Sequence, residues 1–340
     1  MKKKAIFDKK NVLVLGGAGF IGSHLCDALV REAKVICVDN FLTGDERNID
    51  HLLANHDFEF VKHDITEPLD LENMPELQKF KIEFQGIQEI YNLACPMSTK
   101  NFEQNKISTL LANSVGVKNA LDLARNYEAK LLHFSSSVVY GFRAQDNHSV
   151  AEEEVGMTDH LSVRSSYDEG KKFAETMIVN YRDEYKIDAK IVRFFRIYGP
   201  RMPLGDGQLI ADFIDSSLAN KDLVIYGDDK FSSTYLYVAD AVEVSMKFMD
   251  SDQVGPLNVG SDYDVNLTKI AKMITELTGS KSRITYEPAH TFFTQLAIPD
   301  INKAKTALNW MPITTLEKGL KLTIEDFQVN KNLKKFSANF

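Results

Sequence analysis

The sequence predicts an α/β protein with a doubly wound parallel sheet and a smaller C-terminal α/β lobe. Short apolar stretches alternate with longer stretches of helical periodicity from residue 12 to residue 194, which is typical of a sheet built from strand–helix units. A glycine-rich turn joins the first strand to the first helix. Beyond residue 199 the elements become shorter. We therefore divide the chain into a sheet domain at residues 1–200, to which some later segments return, and a lobe made mainly of residues 201–340.

The glycine-rich turn follows a strand predicted at residues 12–15, an apolar stretch of the kind buried on both faces of a sheet. The turn contains four glycines: Gly16, Gly17, Gly19 and Gly22. A helix is predicted over residues 23–33, and its N-terminus offers unpaired N–H groups to an anion. Because glycine has no Cβ, a ligand can approach this backbone closely. The pattern predicts a dinucleotide-binding site of the Rossmann type, with the pyrophosphate at the turn.

A second strand, predicted at residues 34–39, ends in the acidic residue Asp39. Its distance from Gly22 suits a carboxylate that holds a ribose 2′-hydroxyl, and its charge would repel a 2′-phosphate. NAD is therefore predicted as the cofactor in preference to NADP, although the nearby cation Arg47 weakens that preference. Asp64 follows a third strand at residues 58–62, where it either meets the adenine of the dinucleotide or caps a turn.

The other elements follow in order. Further strands are predicted at residues 87–94, 131–135 and 191–194, and the charged residues 71–85 are predicted to form a surface insertion. Two long helices are predicted at residues 105–124 and 166–185. The first shows an apolar stripe at helical spacing, made of Ile107, Leu111, Val115 and Leu121. The smaller lobe is predicted to contain a strand at residues 223–226 and helices at residues 209–219, 240–249, 267–277 and 316–327.

Composition narrows the class of protein. The 340 residues, 44% of them hydrophobic, can form a large core. The net charge of −8 argues against nucleic acid or an anionic membrane as a partner. Three cysteines without metal-ligand spacing indicate free thiols in a reducing compartment. No signal peptide, membrane span or metal motif is visible, so a cytoplasmic enzyme without a metal is expected.

A tyrosine and a lysine four residues apart indicate acid–base chemistry. Tyr167 and Lys171 lie in the helix predicted at residues 166–185, and this spacing places them on one face. A free phenol has a pKa of about 10 and is a poor base at neutral pH. A nearby ammonium and an oxidised nicotinamide both favour the phenolate, which can take a proton from an alcohol. Ser136, at the end of a neighbouring strand, is placed to hydrogen-bond the same hydroxyl.

These residues together resemble the extended short-chain dehydrogenase/reductases that modify nucleotide sugars, and UDP-glucuronate decarboxylases in particular. The similarity runs from residue 12 to about residue 327. It is carried by GGAGFIGSHL, VDNFLTG, HDITEPL, NLACP, RSSYDEGKK, GPRM, DGQLIADFI and PDINKAK. The resemblance implies that Tyr167 is the catalytic base, assisted by Lys171 and Ser136.

The resemblance also implies the binding sites. The residues expected to bind the cofactor are Gly16, Gly19, Phe20, Ile21, Gly22, Asp39, Asn40, Asp64, Ile65, Leu93 and Lys171. Those expected to bind the substrate, a nucleotide sugar, are Ser137, Arg196 and Arg201. The implied reaction begins with transfer of a hydride from the sugar C4 to NAD and ends with its return. The family pairs two long helices across a homodimer, and residues 105–124 and 166–185 match them.

The sequence departs from this family at positions that matter for the chemistry. Decarboxylases of this kind carry a glutamate where this chain has Val138, and the related dehydratases place Asp-Glu at Ser137 and Val138. An apolar side chain cannot transfer a proton, so 4,6-dehydration by that route is disfavoured. The Ser-Ser-Ser-x-x-Tyr-Gly pattern instead resembles that of the 4-epimerases.

Charged residues expected at the diphosphate site are also replaced. The family has arginines where Ser233 and Ala297 stand and often a basic residue at Gln208, while Arg196 takes the place of an asparagine. Each lost arginine would remove charge-assisted hydrogen bonds of about 1.5–3 kcal/mol. Arg196, Arg201 and Lys230 either restore this charge or are ordinary surface cations. Two other functions therefore stay open: a non-catalytic dinucleotide-binding sensor or scaffold, and a ketoreductase that acts on a non-standard substrate.

Overall fold

The computed structural model describes residues 8–97, 103–143, 148–288 and 296–337, with side chains through residue 330. Its strands are β1 Asn11–Leu15, β2 Lys34–Asp39, β3 Phe58–Lys62, β4 Glu89–Asn92, β5 Lys130–Ser136, β6 Ser149–Val150, β7 Ala189–Phe194, β8 Ile197–Tyr198, β9 Leu223–Tyr226, β10 Ser232–Thr234, β11 Leu236–Tyr237, β12 Leu257–Val259, β13 Asp264–Asn266, β14 Ile284–Glu287 and β15 Ile298–Pro299. Its helices are α1 Phe20–Leu29, α2 Ile82–Gln85, α3 Lys106–Leu111, α4 Val117–Tyr127, α5 Ser165–Tyr185, α6 Leu209–Leu218, α7 Val238–Asp250, α8 Leu267–Thr278, α9 Asn302–Leu308 and α10 Leu316–Ser337.

The main sheet has seven strands in the order β3-β2-β1-β4-β5-β7-β12. Every neighbouring pair is parallel. The chain starts at β1 in the middle of the sheet, winds outward to β3 and returns through β4 towards the other edge. The predicted doubly wound parallel sheet is therefore confirmed, and its switch point lies between β1 and β4, where ligands bind in such folds.

Burial on both faces explains why the central strands are continuously apolar. All five residues of β1 are buried. Val12 and Val14 belong to the core on one face, which includes α1, whereas Leu13 and Leu15 belong to the core on the other, which includes α4. A strand covered by helices on each face needs apolar side chains in both directions.

Two of the smaller sheets lie wholly in the C-terminal part of the chain, whereas β6 and β8 from the first 200 residues pair with β15 and β11. Strand β9 pairs with β14 in parallel, and β10 pairs with β13 in antiparallel orientation. Some C-terminal segments also join the first part of the fold. Strand β12 pairs with β7 at the edge of the main sheet, and α7 packs against α1.

The prediction of a surface insertion at residues 71–85 is wrong. Leu71, Leu77, Phe80 and Ile82 are buried against the main sheet, in the same core as Leu121. The charges in this segment lie on the opposite side of short helical turns, which include a 3₁₀ turn at Pro75–Phe80. A mixed composition concealed an apolar face because turns this short show no clear periodicity.

The helix predicted at residues 105–124 consists of α3, a π-helical turn at Ala112–Gly116, and α4. Leu121 is buried, but Ile107, Leu111 and Val115 from the predicted stripe are exposed. The extra residue of a π turn rotates the helix face. The apolar face of α3 therefore points away from the core of its own chain.

Candidate active site

A cavity of ≈ 910 Å³ opens at the carboxyl ends of the main-sheet strands. All of the residues predicted to bind cofactor or substrate or to act in catalysis line this cavity: Gly16, Gly19, Phe20, Ile21, Gly22, Asp39, Asn40, Asp64, Ile65, Leu93, Ser136, Ser137, Tyr167, Lys171, Arg196 and Arg201. The fold brings these residues together because parallel strands end at one edge of the sheet.

The glycine turn is packed too tightly for side chains. Gly16 has a φ of +81°, and a Cβ on Gly22 would lie only 2.2 Å from the carbonyl oxygen of Gly16. Helix α1 begins at Phe20, earlier than predicted, so Gly22 lies inside the helix. Its N-cap residue, Gly19, makes no side-chain capping hydrogen bond. The first N–H groups of α1 thus face the cavity, and the turn fits a pyrophosphate.

Asp39 ends β2 beside the glycine turn. Its carboxylate accepts hydrogen bonds from the backbone N–H of Ala18 at 3.0 Å and of Phe41 at 2.8 Å. Burial raises the pKa of Asp39, and these backbone hydrogen bonds oppose that rise. A carboxylate can accept about four hydrogen bonds. The Asp39 carboxylate can therefore still accept hydrogen bonds from the hydroxyl groups of a ribose. The nearby Arg47 forms an ion pair with Asp45.

Asp64 both caps a turn and lines the cavity, so the two alternatives for this residue are compatible. Its side chain accepts hydrogen bonds from the N–H of Thr66 at 2.9 Å and from Asn40 Nδ2 at 2.9 Å. Burial raises the pKa of Asp64, but the hydrogen bonds from Thr66 and Asn40 lower it, and the net shift is downward. The residue is an anionic acceptor at neutral pH.

Tyr167 and Lys171 lie one turn apart on α5, and both are buried. Lys171 Nζ lies 5.8 Å from the centroid of the Tyr167 ring and donates a hydrogen bond of 2.8 Å to the carbonyl of Phe134. Ser136, at the end of β5, hydrogen-bonds the Tyr167 side chain. The predicted trio is therefore assembled, with the ammonium held by main chain from β5.

In the protein without a bound cofactor, burial favours the neutral form of the Tyr167 phenol. It raises the pKa of the phenol, Cys95 raises that pKa further, and the hydrogen bond with Ser136 lowers it. The net shift is upward, so the neutral phenol predominates at neutral pH. Positive charge close to the phenol, such as an ammonium or an oxidised nicotinamide, acts in the opposite direction and favours the phenolate.

The wall beside Tyr167 is apolar. Val138 is buried against Tyr167, with Cys95 and Leu296 packed around them. No carboxylate takes the position where the related decarboxylases have glutamate, since this position is Val138. Ser137 is buried next to it and lines the cavity.

The two predicted substrate-binding arginines have different surroundings. Arg196 follows β7 and lies beside Tyr235, with Arg164 and Arg143 also within electrostatic range. Burial lowers the pKa of Arg196, but a guanidinium stays charged at neutral pH. Arg201 forms a 2.7 Å ion pair with Asp27 of α1.

The positions where the family has arginine lie outside the cavity lining. Ser233 is buried in β10, and Ala297 is buried in a small core with Val139 and Phe195. Gln208 does line the cavity. No cation therefore stands at the three positions where the family has arginine or another basic residue.

The sequence does not identify several residues that lie in or next to the site. Arg164 lines the cavity and forms a 3.2 Å ion pair with Asp168, and its charge acts on Tyr167. Its position three residues before Tyr167 was a signal available from helical spacing. Tyr235 also lines the cavity. Outside the cavity lining, Arg143 acts electrostatically on Arg196 and donates hydrogen bonds to Ser232 Oγ at 3.0 Å and to Asp264 at 3.1 Å. These contacts join segments far apart in sequence, so no local pattern predicts them.

Among the residues described, no three His, Cys, Asp or Glu side chains are grouped so as to hold a metal ion. Within the same part of the chain, no helix combines the length and apolar character needed to cross a bilayer.

A family model described as GDP-mannose 4,6 dehydratase matches residues 13–323. The chain belongs to this family. Its members are extended short-chain dehydrogenase/reductases that act on nucleotide sugars with NAD, and this chain is such an NAD-dependent, nucleotide-sugar-modifying enzyme. The exact reaction differs between members.

Known relatives show this range. The chain is 37% identical over 329 residues to UDP-glucuronic acid decarboxylase 2 of Arabidopsis thaliana, covering 96% of this chain and 69% of the relative. The structure of UDP-glucose 4-epimerase from Thermotoga maritima with UDP-glucose matches at 27% identity and a TM-score of 0.82, covering 94% of this chain and 99% of that one. UDP-glucuronic acid 4-epimerase from Bacillus cereus, solved with UDP-glucuronic acid and NAD, matches at 25% identity and a TM-score of 0.82, with the same coverage.

Proposed function

We propose that this enzyme oxidises the C4 hydroxyl of a nucleotide sugar, changes the sugar while it is a 4-ketone, and then reduces it again. The observation that carries the proposal is the position of Tyr167, Ser136 and Lys171 in the cavity that also contains the glycine turn. A base of this kind must reach the sugar hydroxyl while the sugar C4 faces the cofactor that accepts the hydride, so the base and the cofactor turn must share one cavity.

The protein's own residues hold the cofactor and move the proton. The glycine turn holds the pyrophosphate, and Asp39 accepts hydrogen bonds from the ribose hydroxyls. When bound, NAD would accept a hydride and later return it. Tyr167 takes the proton of the C4 hydroxyl, and Ser136 orients both oxygens. Lys171, fixed by the carbonyl of Phe134, stabilises the phenolate that forms.

Two fates of the 4-ketone have separate support. Epimerisation requires only rotation of the ketone and reduction from its other face, and the apolar wall at Val138 is compatible with this because no second acid or base is needed. Decarboxylation of a uronic acid is favoured by the 37% identity to UDP-glucuronic acid decarboxylases. A β-keto acid loses CO₂ readily once the ketone is present, so this step too can proceed without a glutamate at position 138.

The experiment that tests the proposal is a product analysis. Purified enzyme with NAD is incubated with UDP-, GDP-, CDP- and dTDP-sugars, including UDP-glucuronate, and the products are identified by mass spectrometry and NMR. Loss of CO₂ identifies a decarboxylase, and unchanged mass with altered stereochemistry identifies an epimerase. Release of a stable reduced or oxidised product in each cycle would instead identify a ketoreductase. No turnover of any sugar nucleotide would contradict the proposal and favour a binding role.

We also propose a homodimer through α3, α4 and α5. The exposed side chains of Ile107, Leu110, Leu111 and Phe173 place apolar surface on α3 and α5, which pack side by side. An uncovered apolar face of this kind favours association. Light scattering of the wild type and of Ile107→Glu tests this. A dimer that becomes monomeric supports the proposal, and a monomeric wild type contradicts it.

A further inference from the structure

We infer that Glu175 is a positioning residue of this enzyme, which fixes helix α5 against the end of β5 and so sets the contact between Tyr167 and Ser136. The inference rests on the proposed function, in which these two residues act on the sugar hydroxyl. Glu175 itself lies outside the cavity lining. It would therefore support the reaction without touching the substrate or the cofactor.

Three consecutive residues at the end of β5 are each bonded to the same face of α5. The pairs are Phe134–Lys171, Ser135–Glu175 and Ser136–Tyr167. The three α5 positions are spaced four residues apart, so their side chains lie in one row along the helix. Two of these pairs contain the residues that we assign to catalysis. In the third pair, the Ser135 hydroxyl donates a 2.5 Å hydrogen bond to Glu175 Oε1.

Glu175 is held on its other side by Arg193 of β7. The guanidinium donates hydrogen bonds to both carboxylate oxygens, from Nη2 at 2.7 Å and from Nε at 3.0 Å. Only 12% of each side chain is exposed. An arginine that binds both oxygens of a carboxylate fixes the orientation of that carboxylate as well as its position. The Ser135 hydroxyl therefore meets an acceptor that is already fixed.

Further hydrogen bonds connect Arg193 with the edge of the main sheet. Its Nη1 donates to the Tyr140 hydroxyl at 2.7 Å and to the carbonyl of Glu152 at 2.9 Å. The Tyr140 hydroxyl in turn donates a 2.7 Å hydrogen bond to Oδ1 of Asn258 in β12. A buried hydrogen-bond network of this kind makes its surroundings rigid. The network thus joins α5 to three strands of the sheet: β5, β7 and β12.

A small displacement of α5 against β5 would change the proton transfer. Burial raises the pKa of the Tyr167 phenol, and its hydrogen bond with Ser136 lowers that pKa. Titratable groups near the phenol also include Cys95, Asp168, Arg164 and Lys171. The variant Ser135→Ala alters none of these charges and leaves the Glu175–Arg193 pair in place. It therefore isolates the contact between the strand and the helix.

The test compares Ser135→Ala with wild type, with NAD bound and with the sugar nucleotide that is turned over fastest. kcat should fall by about ten- to a hundredfold, because a displacement of about 1 Å in a reacting group has an effect of this size. KM and the affinity for NAD should stay within about twofold of wild type. The rising limb of the pH–rate profile should move to higher pH, since a weaker hydrogen bond from Ser136 leaves the pKa of Tyr167 higher.

The matched control is Ser217→Ala. The Ser217 hydroxyl is also buried and also joins two elements, through a 2.7 Å hydrogen bond between α6 and Thr278 of α8. Its kcat and its pH–rate profile should equal those of wild type.

A second variant separates positioning from stability. Glu175→Leu combined with Arg193→Met replaces the ion pair by apolar side chains, a change that often keeps or raises the stability of a protein. kcat should fall by about tenfold or more, while the urea concentration at the midpoint of unfolding stays close to that of wild type. Normal kcat in this folded variant contradicts the inference. If the variant does not fold, Ser135→Ala decides alone.

Three results for Ser135→Ala would overturn the inference. The first is an unchanged kcat and pH–rate profile, and the second is a loss of kcat that Ser217→Ala shares. The third is an equally large change in KM or in NAD affinity, which would show that Ser135, a residue of the cavity lining, contacts a ligand directly.

If the wild type turns over no sugar nucleotide, the proposed function fails, and a crystal structure of Ser135→Ala decides the inference separately. A contact between Ser136 and Tyr167 that lengthens beyond hydrogen-bonding distance supports the positioning role, and an unchanged contact contradicts it.

Discussion

The glycine turn and the wall around Arg196 belong to one cavity, yet they are assembled in different ways. The turn is made of backbone from β1, β2 and α1, with Gly16 N–H bonded to the carbonyl of Val38 at 2.8 Å. The wall is made of side chains from segments far apart in sequence, such as Arg164, Arg196 and Tyr235. An added atom should therefore disrupt the first region, whereas loss of a charge should disrupt the second.

The largest effect is expected at Tyr167, between the two regions. Tyr167→Phe removes the proton acceptor but keeps the ring packed against Val138. Turnover should fall by about a thousandfold, within the range for general acid–base catalysis. The measurement is product formation from the best sugar nucleotide, with NAD and UDP affinities as controls. Turnover within tenfold of wild type would show that another group is the base.

A steric change should break the backbone-built region. Gly22→Ala places a Cβ 2.2 Å from the carbonyl oxygen of Gly16, so the turn must shift away from its ligand. NAD affinity should fall by about a hundredfold because the helix N-terminus and turn lose their fit to the pyrophosphate. UDP affinity should change far less. Fluorescence titration with NAD measures this.

The matched glycine control is Gly279→Asn. Gly279 has a φ of +64° at the end of α8, asparagine tolerates this conformation, and nothing lies within 4 Å of its Cβ position. Its NAD affinity should equal that of wild type. Equal NAD affinity in Gly22→Ala would show that the turn does not hold the cofactor.

The pH dependence of the reaction rate tests the role of Lys171. Burial raises the pKa of Tyr167, so the phenolate fraction, and with it kcat/KM, should increase as pH rises. Lys171→Met removes the ammonium 5.8 Å from the Tyr167 ring and should raise the apparent pKa of the base further. The rising limb of the pH–rate profile then moves to higher pH, and kcat/KM at pH 7 falls about tenfold for each pKa unit. An unmoved profile would assign Lys171 to cofactor binding alone.

The smallest effect concerns Arg201, which joins the two regions through Asp27 of α1. Arg201→Gln and Asp27→Asn should each lower the free energy of unfolding by about 1 kcal/mol or less, because the pair is partly exposed. The double variant should lose less than the sum of the two changes. Urea unfolding measures this. If Arg201→Gln instead raises the substrate KM and leaves stability unchanged, Arg201 contacts the substrate, as the sequence predicts.

Local patterns predicted the backbone-built region well. Strand β3 has the predicted bounds, and the glycine turn, Asp39 and the Tyr167–Lys171 pair all line the cavity. These features depend on residues close in sequence, within single strand–helix units. Helix α1 begins three residues earlier than the sequence predicts, because glycine disfavours a helix in sequence-based prediction, whereas Gly22 lies inside α1 and approaches Gly16 closely.

The second region could not be predicted in the same way. Strand β12 has only three residues, too few for a period, and it gains its role from pairing with β7. Tyr235 reaches the cavity lining through tertiary contacts alone. Leu71 and Phe80 are buried within a charged segment because the sheet needs cover on that face. Such outcomes are decided by tertiary packing and not by local propensity.

The late position of β12 in the chain also affects how the protein is made. During synthesis, β7 leaves the ribosome well before residues 257–259, so the outer edge of the main sheet stays unpaired in the interval. An unpaired parallel edge is a template for strands of other molecules. Any truncation before residue 257 would leave that edge open permanently, and the shortened chain would be expected to aggregate even though every segment of the glycine turn is present.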